Sequence, residues 1–134
     1  MLNQTVEYAL RAVIYVARDP SASFRAVDVA TEINAPRNYV AKILSQLARV
    51  GILESVRGPT GGFRLAAPPA TVRLADVVAA FRRSVQRRCL LGHGVCGSNP
   101  SCSAHRRWAP IAQTLDGFFA DTTIADLLAT RSLT

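Results

Sequence analysis

Lysine is nearly absent from this chain. Lys42 stands alone among 16 basic residues, so guanidinium groups carry almost all the positive charge. Acidic residues are also few, nine in all, and the formal net charge is +7. Between Arg82 and Arg107 there is no Asp or Glu at all. Such a balance suits an anionic partner, nucleic acid before anionic lipid. Long apolar runs are missing too. Glu7 and Arg11 interrupt the stretch from Val6 to Ala17, and nothing approaches the roughly 20 apolar residues of a membrane span. That apolar start is no signal peptide either, so a cytoplasmic protein without membrane contact is expected. No glycine-rich loop is followed by Lys and a helix, and no carboxylate pair or Ser/His/Asp set stands out. An enzyme is therefore not expected. Cysteine is scarce, with three residues, all between Cys89 and Cys102. An odd number of crowded thiols in a reducing compartment points to metal or redox chemistry rather than to disulfides.

What is present points to a folded chain. Its 134 residues are 49% apolar, enough for one core or a small domain with a dimerisation element. Val6, Leu10, Val13, Ile14 and Ala17 follow the spacing of one helix face, and Asp19-Pro20 stops that helix. A second helix is predicted over Val27–Ile33, with Val29, Ala30 and Ile33 inward and Asp28 in its first turn. Asn34-Ala35 forms the turn, because Asn tolerates the left-handed backbone. Pro36 suits the first position of a third helix, whose buried side is Val40, Ile43, Leu44 and Leu47 and which ends at Gly51.

This pair of helices is a helix-turn-helix candidate. A strand over Ile52–Arg57, the tight turn Gly58-Pro59-Thr60-Gly61-Gly62 and a returning strand over Phe63–Ala66 add a wing. Ala67-Pro68-Pro69 closes it, and Leu74, Val77, Val78 and Phe81 mark a further short helix. Beyond the cysteines, Ala104, Trp108, Ile111, Ala112, Leu115, Phe118 and Phe119 form a long apolar stripe. Pro110 implies that this helix starts near Trp108 or is kinked. The stripe is too long for one winged domain to cover, so a homodimer is expected. Thr123 and Asp126 have the spacing of a capping box for a last helix. The expected architecture is mainly α with a small β wing. It comprises a winged helix-turn-helix over 1–82, a cysteine loop over 83–103, and a dimerisation helix with a C-terminal helix over 104–134.

The outward positions of the third helix are Arg37, Asn38, Ala41, Lys42, Ser45, Gln46 and Arg49. They are rich in donors and free of carboxylates, as a major-groove helix requires. Arg57 and Arg64 flank the wing tip, with Thr60 in the turn, where they can reach phosphates or a minor groove. Duplex DNA is the expected partner through Arg37, Asn38, Ala41, Lys42, Ser45, Arg57, Thr60 and Arg64. The alternative is an adaptor that uses the same fold for protein contacts.

In the cysteine loop, six residues separate Cys89 from Cys96 and five separate Cys96 from Cys102. These intervals exceed those of paired zinc-finger ligands. Glycines and a proline allow the thiolates to converge, and nearby arginines would balance an anionic thiolate-ligated cluster. Three thiolates need a fourth ligand, and His105 follows Cys102 by three positions. A zinc site, or thiols acting without metal, fits the same spacing. His93 reads as a solvated loop histidine.

Over nearly its whole length the chain resembles the Rrf-type winged-helix regulators, which include iron–sulfur-regulator (IscR-like) and nitric-oxide-sensitive (NsrR-like) branches. The resemblance rests on five features. They are Val6-Glu-Tyr-Ala-Leu-Arg-Ala, Arg37-Asn-Tyr-Val-Ala-Lys-Ile, Val56-Arg-Gly-Pro-Thr-Gly-Gly-Phe-Arg-Leu65, the three cysteines, and Thr123-Ile-Ala-Asp-Leu-Leu. It implies a homodimeric regulator, a repressor, on palindromic operators. It further implies an iron–sulfur cluster, 2Fe–2S or 4Fe–4S, on Cys89, Cys96 and Cys102, whose loss or damage alters DNA binding. His105 and Trp108 are similar to the first branch, where a histidine is the fourth ligand. Glu7 falls where some relatives supply a carboxylate ligand from the partner subunit, and Arg37-Asn38 is closer to the second branch. His105 is preferred as fourth ligand because a local ligand orders less chain.

Overall fold

The Asn3 side chain accepts from the Val6 N–H at 2.9 Å and so satisfies one of the orphan donors that open the first helix, α1 (Gln4–Ala17). Further helices and one hairpin follow among the described residues. α2 (Ala26–Ile33) and α3 (Arg37–Arg49) are followed by an antiparallel hairpin, β1 (Leu53–Val56) and β2 (Gly62–Leu65). A 3-10 turn over Pro69–Thr71 leads into α4 (Leu74–Ala79), and α5 (His105–Asp121) and α6 (Ile124–Ala129) complete the order. The computed structural model describes residues 3–82, 90–91 and 102–129. Among these, no helix is long and apolar enough to cross a membrane.

The turn between α2 and α3 has the backbone that its sequence demands. Asn34 lies in the left-handed region at φ 53°, ψ 56°, and Ala35 N–H reaches back to Ala30 O at 3.0 Å. That bond closes the helix end in the Schellman manner. Pro36 is the cap of α3, with ψ 131°, and Arg37 is the first helical residue, one position later than expected. At the far end Gly51 takes φ +86°, which lets Ile52 N–H bond Leu47 O at 3.0 Å and turns the chain directly into β1.

In the hairpin Leu53 pairs with Leu65 and Val56 with Gly62. A third piece of chain joins it, because Phe24, just before α2, forms an isolated antiparallel bridge with Phe63. Both main-chain bonds of that bridge are 2.8 Å.

One apolar core binds these elements. Val29, Val40, Leu44, Leu47, Leu53 and Val77 are essentially inaccessible. On α1 the buried face is Val6, Ala9, Ala12, Val13, Val16 and Ala17, whereas Leu10 and Ile14 lie half-buried at its edge. The expected stripe was thus rotated by part of a turn. Alanine lets α2 and α3 approach the helix closely, but it adds little to an apolar count.

Helix α5 begins at His105, ahead of Trp108, and continues through Pro110. The proline has no N–H to give the preceding turn and crowds the carbonyl four residues back, yet the turns on either side keep the helix continuous. Its apolar stripe divides. Ala112 is buried and Phe119 packs against the core, while Ile111 (55%), Leu115 (38%) and Phe118 (50%) remain exposed on the other side.

The end of α5 is fastened to the approach to α4. Leu74 N–H donates to Thr122 O at 2.9 Å, and Ile124 N–H donates to Val72 O at 2.8 Å. Ile124 is fully buried in the same core as α1. The capping box of α6 is present in both directions: Thr123 N–H to Asp126 Oδ2 at 2.9 Å, and Asp126 N–H to Thr123 Oγ1 at 3.2 Å. Thr123's N–H, then its hydroxyl, hold the Asp126 carboxyl below the ordinary carboxylate range.

Candidate nucleic-acid interface and cysteine site

α3 presents one apolar side and one open side. Val40, Ile43, Leu44 and Leu47 are buried, and Arg37, Asn38, Lys42 and Ser45 are exposed, with Ala41 half-buried between them. The helix spacing therefore gathers four donor-bearing side chains around a small residue, which permits close approach to a groove floor. No acidic residue lies in the first turn of α3.

Gln46 departs from the expected outward set. Its Nε2 donates to Ala80 O at 3.1 Å, so the amide is engaged at the C-terminal end of α4. On the wing, Arg57 and Thr60 are exposed. Arg64 is exposed as well, but its guanidinium is paired with Glu54 on the neighbouring strand. That pair neutralises one of the two wing arginines at the surface, leaving Arg57 the more available cation.

A group of side chains beside the N-terminal half of α3 escaped sequence reasoning. The Tyr39 ring stands edge-on to Tyr8, with centroids 5.6 Å apart, and its hydroxyl bonds Thr5 Oγ1. Arg11 lies 5.7 Å from the Tyr8 ring centre and donates to Ile33 O, closing the α2 end of the turn. These contacts join residues of α1 to the helix-turn-helix across 22 to 34 positions. The only trace in the sequence is three polar or aromatic residues, Tyr8, Arg11 and Tyr39, interleaved with apolar stripes.

Behind the wing, the Tyr15 and Phe24 rings meet at 5.0 Å. Burial, then the carboxylates Glu32 and Asp28, push the Tyr15 hydroxyl above its usual range.

Of the expected cysteine-site residues, Cys102 and His105 are described; Cys89 and Cys96, like His93, lie outside the described residues. Cys102 and His105 are both half-buried, and His105 N–H donates to Cys102 O at 3.2 Å as α5 begins. A thiol and an imidazole thus share one helix end, a donor pair that suits iron or zinc. Among the described residues no three His, Cys, Asp or Glu side chains converge in a metal-binding group. Glu7 is exposed in the first turn of α1.

A turn-linked helix pair, a hairpin after its second helix and a long helix behind define a winged helix-turn-helix protein. A family model described as Rrf2, iron-dependent transcriptional regulator, matches residues 2–130. The chain belongs to the Rrf2 family of transcriptional regulators. It is 33% identical over 132 residues to a protein of Aquifex aeolicus (strain VF5) that bears the name HTH-type transcriptional regulator, covering 96% of this chain and 91% of that one. Among solved structures it is similar to CymR, the global cysteine regulator of B. subtilis, with TM-score 0.83 at 18% identity and 98% of each chain covered. It is also similar to T. potens IscR, with TM-score 0.78 at 17% identity, covering 100% of this chain and 93% of the other. At such identities the likeness to both is one of fold. The function class follows from the family: a DNA-binding transcriptional regulator and not an enzyme.

Proposed function

We propose that the chain is a homodimeric repressor that binds palindromic operator DNA and senses iron–sulfur status, nitric oxide or redox state through a cysteine-ligated iron–sulfur cluster. In this reading residues 1–82 bind DNA, 83–103 hold the cluster, and 104–134 dimerise. Arg37, Asn38, Ala41, Lys42 and Ser45 face the major groove, and Arg57, Thr60 and Arg64 meet the backbone beside it. The carrying observation is the carboxylate-free, exposed donor face of α3 with the Arg57 wing immediately after it. The exposed Ile111, Leu115 and Phe118 on α5 support the dimer.

Cys89, Cys96, Cys102 and His105 would hold the cluster, with Glu7 of the partner subunit as the alternative to His105. Support comes from the thiol and imidazole at the start of α5 and from the excess of arginine around the loop. When bound, such a cluster supplies redox and ligand-exchange chemistry that oxidants or nitric oxide can alter. The chain's own part is to offer the thiol and imidazole ligands, in a stretch whose arginines balance an anionic cluster. Anaerobic purification followed by a visible absorption spectrum tests this reading. Iron–sulfur charge-transfer bands are expected. A colourless protein that still binds DNA would leave a zinc- or thiol-based regulator of the same fold.

A further inference from the structure

The wing does not stand alone on its two strands. The loop between α1 and α2 crosses it: Phe24 and Phe63 exchange both main-chain hydrogen bonds, each 2.8 Å. One residue earlier, Ser23 Oγ donates to the carbonyl of Thr60 at 2.6 Å, a contact that spans 37 positions and lands on the turn of the hairpin. The turn itself is closed by Gly61 N–H to Gly58 O at 2.9 Å. Gly62 accommodates the crossing, for a Cβ there would sit 2.3 Å from Phe24 O. The Tyr15 ring backs Phe24 from α1. Two strands of four residues make a marginal hairpin in water, so its tip needs outside support to hold one orientation.

From this geometry we infer that Ser23 is a positioning residue for DNA binding, which sets the wing tip, and through it Arg57, against the duplex. The inference rests on the wing contact proposed above. Ser23 does not touch the duplex; it holds the Thr60 carbonyl, and the closed turn passes that constraint to Arg57, one residue outside the Gly58–Gly61 bond. A tip held in its bound orientation loses less freedom on association than a swinging one. Ser23 is half-buried on a surface loop, so its replacement spares the core.

The test is a double-mutant cycle with a duplex that the wild-type protein selects from a randomised pool. One hydrogen bond of this kind corresponds to about a three- to tenfold loss of affinity in Ser23→Ala, and Ser23→Thr should restore most of it. In an Arg57→Ala background the same Ser23→Ala change should cost less than about twofold, because the positioned contact is already gone. Thermal melting of Ser23→Ala should match wild type within a degree or two, roughly the shift expected of an exposed contact. Full affinity in Ser23→Ala, or an equal loss with and without Arg57, overturns the inference while leaving the wing contact intact. An Arg57→Ala variant that binds as well as wild type overturns the wing contact, and the role of Ser23 with it.

Discussion

The guanidinium of Arg73 donates to the carbonyl of Ala120 at 2.6 Å, joining the residue that precedes α4 to the last turn of α5. A cation at that position also meets the negative end of the α5 dipole. The adjoining bonds from Leu74 to Thr122 and from Ile124 to Val72 make this a three-point fastening. It seats Ile124 in the core shared by α1 and α4. Ile124→Ala should therefore lower stability by about 2–5 kcal/mol, as a fully buried aliphatic truncation does. Urea unfolding measures it. A loss under about 1 kcal/mol would mean that α6 is peripheral to the core.

Operator binding should weaken steeply with salt, because arginine–phosphate contacts release condensed counterions. Arg57→Ala should weaken all duplexes about equally and reduce the salt slope by roughly one. Asn38→Ala or Lys42→Ala should change which operator is preferred, by about 1–3 kcal/mol per lost base contact. Gln46→Ala should leave that preference alone, since its amide is bonded to Ala80 O; its cost falls on stability, at about 0.5–1.5 kcal/mol. Mobility-shift assays on a set of single-base operator variants separate these outcomes. If Asn38, Lys42 and Arg57 can all be replaced without effect, the DNA face lies elsewhere.

Leu115→Glu places a charge at the centre of the exposed α5 stripe, between Ile111 and Phe118. Sedimentation should show monomers or aggregates in place of a dimer. A folded dimer from this variant would remove α5 from the interface.

His105→Ala and Glu7→Gln distinguish a cluster closed within one subunit from one closed by the partner. After anaerobic reconstitution, His105→Ala should change the absorption and Mössbauer spectra, and Glu7→Gln should not. The reverse result would assign the fourth ligand to the partner chain and tie one subunit's loop directly to the other's DNA-binding unit.

Much of the DNA-facing unit can be read from local pattern. Val40, Ile43, Leu44 and Leu47 recur at helical spacing, Asn34 marks the left-handed turn, and Gly58–Gly62 sits between two short strands. Thr123 and Asp126 find each other three positions apart. Each of these depends on neighbours within one turn of chain, where covalent geometry sets the distance before any packing occurs.

Other features exist only in the packed molecule. Gln46 is indistinguishable in sequence from the outward donors beside it, and only the placement of α4, 34 residues on, draws it away. Glu54 lies ten positions from Arg64, and the hairpin register alone sets them opposite each other. Ser23 reads as a loop serine until the α1–α2 crossing lays it on Thr60. The stripe on α5 gives no sign of which half faces inward; the fastening at Arg73 and Ile124 decides that, burying Ala112 and leaving Ile111, Leu115 and Phe118 outside. Periodicity states that a helix has an apolar face, because that follows from the pitch of the backbone. Which body covers that face is a matter of chain topology and shape, and those come into being only when distant segments pack.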